Sequence, residues 1–248
     1  VERAIDVCER NRDVIKGVKV RLSRSVVGQN DLHPLMLAKQ AANAVKMPLM
    51  VHPGNTSSPV TDILAELQKG DILTHCYHGL EQGILSHDGT VIDTAWEAMK
   101  RGVVFDVGHG MGSFSFDVAA KALAQGFSPT TISSDLHHYN IFGPVYSLAT
   151  TITKFLALGM PLDEVVAKTT TTPAKLLGIE ESLGTLRKGA LADIAVLELR
   201  QGQFTLQDAM GKTATSDRLL TPRAVIRGGD LHMSDLRLAR RVVRRPQK

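Results

Sequence analysis

Thr130 to His138 reads TTISSDLHH: a β-branched run that ends in an aspartate, with two histidines directly behind it. β-branched residues favour extended backbone, so the pattern predicts a buried strand that delivers Asp135 where strand becomes loop. Working outward, three earlier apolar segments carry an equivalent residue at or near their ends. These are VKVR with Lys19, PLMVH with His52 and DILTH with His75. Four polar anchors on four apolar strands are the mark of a site assembled at one face of a parallel α/β sheet or barrel.

The intervening sequence fits that reading. Strands are predicted over 14–23, 48–53, 71–77, 103–108 and 130–135. Helices are predicted over 2–11, 31–46, 58–69, 91–101, 116–125 and 145–158. Strand and helix alternate at about one βα unit each, which argues for a parallel sheet with right-handed crossovers. The strands are apolar on both faces of the pleat, as strands covered by helices should be. Five units do not close an eight-stranded barrel, so the sheet is either open or preceded by about three further units. After Thr172 the texture changes to a short helix, TPAKLLGI, and then to short β segments joined by Gly and Asp. This predicts a small β appendage at roughly 180–232 with no chemistry of its own.

Composition narrows the class. With 43% hydrophobic and 22% charged residues, the 248-residue chain has the profile of a globular fold. No apolar run approaches the ~20 residues needed to span a bilayer. The N-terminal residues show no secretory signal, and a start on Val rather than Met suggests that the native N-terminus lies further upstream. The last twelve residues, RLARRVVRRPQK, hold six Arg and Lys and no acid. Without them 23 basic residues face 25 acidic ones, a net of −2. The body is therefore near neutral, and the tail reads as a solvated end rather than a nucleic-acid surface. Cys8 and Cys76 form no CxxC and no disulfide framework, which fits a reducing cytoplasm.

Each anchor has a plain alternative. His52 and His75 can cap loops, with His78 competing with His75, and Asp135 can cap its own loop or pair with His137. Lys19 can be an edge-strand lysine reaching outward. Taken jointly, two imidazoles and a carboxylate suit Zn²⁺ or another divalent metal. A lysine buried in an apolar strand has its amine pKa lowered. It can then take up CO₂ to form an anionic carbamate able to bridge two metals.

The order of Lys, His, His and Asp on successive strands resembles the amidohydrolase superfamily of metal-dependent hydrolases. The wording GVKVR, MVHPGN, LTHCYHG, FDVGHGMGSFSF and SSDLH is similar to its deacetylase branch, near the dihydroorotase and D-aminoacylase types. GTLRKGALADIAVLEL resembles the passage where such chains return to a small β-sandwich. The resemblance implies a TIM-like (β/α)8 barrel of which this chain holds strands 4–8. The expected divisions are a barrel portion over 1–178, a β-sandwich segment over 179–234 and a basic tail over 235–248. It further implies that Lys19, rather than Lys16, is the carboxylated bridging lysine. His52 and His75 would be metal ligands, and Asp135 both ligand and proton shuttle. Two Zn²⁺ per complete site are expected, with other divalent metals left open. The superfamily's first-strand HxH pair is absent from the chain, which places that strand before Val1.

The Gly-rich GHGMGSFSF stretch offers His109, Gly110 and Gly112 to a substrate, or is a turn into a helix capped by Ser113. His78 and His137 are further candidate substrate contacts. The expected activity is hydrolysis of an amide or ester, deacetylation of an N-acyl or O-acetyl small acid above all. A cyclic-amide hydrolase, a non-catalytic relative and a nucleic-acid binder are the rivals. A small-molecule substrate is the expected partner, with neither nucleic acid nor membrane, and self-association is left open.

Overall fold

The structure is a computed structural model that describes residues 1–233; the Arg-rich tail lies outside the described residues. The chain divides into two compact units, one of residues 1–108 and 117–130, the other of 109–116 with 131 onward.

The first unit is built on a four-stranded parallel sheet in the order β1-β2-β3-β4. Helix α1 (Glu2–Arg10) precedes β1 (Val18–Arg21), and the short α2 (Arg24–Val27) and α3 (Leu32–Val45) lead to β2 (Leu49–His52). Helix α4 (Val60–Glu66), β3 (Ile72–Leu73), α5 (Asp93–Arg101), β4 (Val104–Phe105) and α6 (Phe116–Ala124) follow. The register of Lys19 with Met50 and Arg21 with His52 puts these four side chains on one face of the β1–β2 pair. Val18, Val20, Leu49 and Val51 occupy the other, and both Leu49 and Val51 are buried. Beneath the sheet, the ring of Phe127 meets Trp96 and Phe105 edge-to-face at 5.0 and 4.9 Å between centroids. The Tyr77 hydroxyl donates to Phe127 O at 2.6 Å, so the buried phenol is satisfied.

The strands are shorter than the sequence predicts. Val14 is solvated and β1 begins only at Val18. The stretch 130–135 is not a ladder strand; Thr131 makes a β-bridge and the rest is irregular. Its carbonyls are used by a loop instead, since His109 N and Gly110 N each donate at 3.1 Å, to Ser133 O and Ser134 O.

In the second unit, α7 (Leu148–Ala157), α8 (Leu162–Thr169) and α9 (Thr171–Leu176) precede an antiparallel sheet of β5 (Ile194–Gln207), β6 (Thr213–Arg227) and β7 (Asp230–Met233). Helix α7 starts three residues later than predicted because the Ser147 hydroxyl accepts from Thr150 N at 3.1 Å and caps it there. Its residues Ala149 to Leu156 are all buried. Thr153 Oγ1 accepts from Leu220 N at 3.1 Å, which fastens α7 to β6. Among the described residues no helix is long and apolar enough to cross a membrane.

Candidate active site

In the first unit, His52 ends β2 and His75 follows β3 at φ 60°. Strand alternation would send the neighbours Thr74 and His75 to opposite faces. The left-handed backbone, which His tolerates better than most residues, lets both be used. Thr74 Oγ1 donates to Asp106 Oδ2 at 2.7 Å, while the His75 ring reaches His52. His75 Nδ1 lies 2.6 Å from Gly108 O and therefore carries the proton, leaving an Nε2 lone pair 2.7 Å from His52 Nδ1. Holding one ring nitrogen on a backbone carbonyl is how protein metal ligands are oriented, and the other nitrogen of His75 here meets His52. Burial, with smaller contributions from His75, Arg21 and Lys19, lowers the His52 pKa to about 3. The His52 ring is thus neutral near pH 7, the form that binds metal.

Gly108 makes this possible. Its φ is +47°, and a Cβ there would fall on Thr74 Oγ1 and lie 2.7 Å from His75 Nδ1. Gly54 has a similar duty at shorter reach, with a built Cβ 3.2 Å from His52 Nε2. The loop between them and α4 is pinned by Asp31, fully buried, whose carboxylate accepts from Ser57 N, Ser58 N and the Ser58 hydroxyl. Although its burial works the other way, these bonds together hold the Asp31 carboxyl below its usual pKa.

Lys19 is exposed in the described chain. Among the described residues β1 pairs only with β2, and Lys19 and Arg21 share one face of it. His78 is buried, its Nδ1 accepting from Leu80 N at 3.3 Å, and burial beside His75 lowers its pKa to about 4. It lines an open cavity of about 470 Å³ with Pro59, Leu80, Ser86, Ile92 and Val118. Among the described residues no three His, Cys, Asp or Glu side chains gather as a metal-holding group.

The second unit carries Asp135, His137, His109 and Gly110. Asp135 is exposed and sits at φ 46°. Its loop is tied by Asn140, fully buried, whose Nδ2 donates to Asp135 O and whose Oδ1 accepts from His137 N, both at 2.9 Å. His137 itself is exposed, with Nδ1 accepting from Tyr139 N. His109 is buried and stacks on Phe114 at 4.7 Å between centroids. Its Nδ1 donates to Gly110 O at 2.9 Å, so its Nε2 accepts from Lys154 Nζ at 2.6 Å. Phe114 O in turn accepts from Ala209 N, and Asp208 accepts from Phe116 N, which secures the 109–116 stretch to the β5–β6 hairpin. Helix α6 begins at Phe116, so Ser113 stands too early to cap it.

Sequence reading missed Lys154, Asp31 and Asn140. Lys154 had a visible signal, a lone cation within the apolar LATTITKFLA. Asn140 had none, since Asn in a loop is ordinary.

The sequence profile of the amidohydrolase family matches residues 99–231. The chain belongs to that family. It is similar to a deacetylase of Enterococcus faecalis, 41% identical over 89% of this chain and 60% of that protein. A deacetylase of Agrobacterium fabrum is 34% identical over 93% of this chain and 56% of its own length. The chain thus spans under two thirds of the curated relatives it matches. Among solved structures, an adenine deaminase superposes with TM-score 0.89 at 39% identity, covering 93% of this chain and 63% of the other. A dihydroorotase superposes at 0.84 and 32%, covering 94% and 61%. The parallel sheet with its helices is accordingly part of a (β/α) barrel of the amidohydrolase kind, accompanied by a small antiparallel sheet.

Proposed function

We propose that the complete protein is a metal-dependent hydrolase that removes an acetyl or related acyl group from a small acid. The observation that carries this is the meeting of His52 and His75, 2.7 Å apart between Nδ1 and Nε2, with the His75 ring oriented by the Gly108 carbonyl. Two such imidazoles suit Zn²⁺. His52 and His75 would hold it, and Lys19, as a carbamate, is the proposed further ligand. A bound divalent metal supplies Lewis-acid polarisation and lowers the pKa of a coordinated water. Asp135, exposed on its loop, is the carboxylate assigned to proton transfer, taking a proton from water and giving it to the leaving amine or alcohol. The free and buried Cys8 and Cys76 are compatible with a cytoplasmic setting. Nucleic acid and membrane are not among the proposed partners.

The test is zinc content and release of acetate from N-acetyl amino acids by the full-length protein, wild type against Asp135→Asn. The expected result is retained metal with turnover down by a factor of about 10²–10⁴. Full turnover in the variant would overturn the role given to Asp135. A cyclic-amide substrate is the second reading, favoured by the likeness to a dihydroorotase structure at 32% identity. Ring-opening assays separate the two.

A further inference from the structure

The buried amine of Lys154 has no part in the proposed chemistry, yet its two bonds run to the two stretches of the second unit that frame Asp135. Nζ donates to His109 Nε2 at 2.6 Å and to Pro144 O at 2.8 Å. On the first side, His109 N and Gly110 N donate to Ser133 O and Ser134 O, the residues directly before Asp135. The His109 ring is itself fixed, by its Nδ1 bond to Gly110 O and by its stack on Phe114. On the second side, Gly143 N and Tyr146 N donate to Asn140 O, and Asn140 Nδ2 donates to Asp135 O. The bonds therefore close a ring, from Lys154 through His109 and Ser134 to Asp135, and back through Asn140 and Gly143 to Pro144. Helix α7 carries Lys154 and is covered along residues 149–156, so the ring hangs from a packed element.

Packing alone does not call for an amine here. Lys154 has no solvent exposure, and a methionine of similar length would fill the space without desolvating a charge. What the amine adds is a pair of hydrogen bonds at fixed positions. Asp135 is exposed and sits at φ 46°, so burial does not hold it and the ring does. We propose that Lys154 is a positioning residue, which clasps the 109–110 and 143–146 stretches together and thereby fixes the stance of the Asp135 carboxylate. It touches no substrate and acts only through His109 and Pro144. The proposal rests on the proton-transfer role given to Asp135, but the clasp itself can be judged apart from turnover.

The experiment takes the zinc-loaded full-length protein as wild type, Lys154→Met and Lys154→Gln. It measures the urea midpoint at pH 7, kcat and KM for N-acetylalanine, and amide hydrogen exchange by mass spectrometry. Lys154→Met should keep a urea midpoint no lower than that of wild type, because it removes a desolvated amine and retains the volume. Its kcat should nevertheless fall by about tenfold or more, the scale of a misplaced reacting group, with KM little changed. Exchange should quicken at 109–110 and 143–146 and stay as it was elsewhere. Lys154→Gln, which keeps N–H donors on a shorter stem, should recover part of both effects. An unchanged kcat in Lys154→Met, a loss confined to KM, or a lowered urea midpoint with faster exchange throughout the chain overturns the proposal. If wild type releases no acetate, the deacetylase reading has failed and exchange alone decides. Faster exchange confined to the two stretches in Lys154→Met, and partly reversed in Lys154→Gln, upholds the clasp; equal exchange in wild type and Lys154→Met refutes it.

Discussion

Lys154 Nζ lies 2.6 Å from His109 Nε2 and 2.8 Å from Pro144 O, in a position with no solvent exposure. Burial lowers the Lys154 pKa to about 7, against a smaller opposing pull from Asp208. In the unfolded chain the amine titrates near 10.4. Between these values the unfolded state binds more protons, so folding stability rises with pH from about 7 to 10.4 and falls to a plateau below 7. The expected slope from this group is at most about 1.4 kcal/mol per pH unit. Urea denaturation of wild type and Lys154→Met across pH 6–10 measures it; the difference between the two should grow with pH and level off below 7. His109, lowered to about 3 by burial and then by Lys154, works in a separate window and destabilises the fold as pH drops below about 6.5.

The contact of Gly108 with His75 leads to a second prediction. Gly108→Ala must relieve the overlap with Thr74 Oγ1 and His75 Nδ1 and also adopt a positive φ. We expect a loss of about 2–4 kcal/mol, combining backbone strain with a broken buried hydrogen bond. Chemical denaturation and zinc titration together check this, since the orientation of His75 should be lost with the stability.

Gly54→Ala is the milder companion. Its Cβ would press on His52 Nε2 at 3.2 Å without any demand for positive φ. Stability should change by less than about 1 kcal/mol, whereas zinc affinity should fall by about tenfold, the usual scale for disturbing the support of a ligand. Competition with a chromogenic chelator reads the affinity directly.

Asn140→Ala removes the donor to Asp135 O and the acceptor for His137 N. Two buried bonds of this kind cost about 1–3 kcal/mol. The activity loss should exceed what the loss of folded protein explains, because Asp135 no longer has its left-handed backbone held. Assays well below the melting temperature separate the two effects.

The order of strands was legible from apolar runs, and the sheet follows it through β4. The fifth segment, 130–135, was legible as extended but not as unpaired with a strand. Its partners are the N–H groups of His109 and Gly110, and a loop has no periodicity to announce it. The same signal, a lysine inside an apolar segment, identified Lys19 and applied equally to Lys154. Lys19 is exposed on β1, whereas Lys154 is buried because α7 is covered along eight successive residues. The packing of α7 is tertiary, and residue type alone does not encode it. His52 and His75 were found because each closes an apolar strand. Their meeting depends on a positive φ at His75 that sequence does not reveal.

The Asn140 knot separates two tasks within one short segment. Asn140 also receives bonds from Gly143 N and Tyr146 N at its own carbonyl, so the framework of residues 135–146 is carried by main chain and by one amide. The outward residues Tyr139 and Phe142 are largely solvated. Substitutions at that tip should therefore leave the backbone bonds around Asn140 in place, so its sequence can vary without redrawing the loop beneath it.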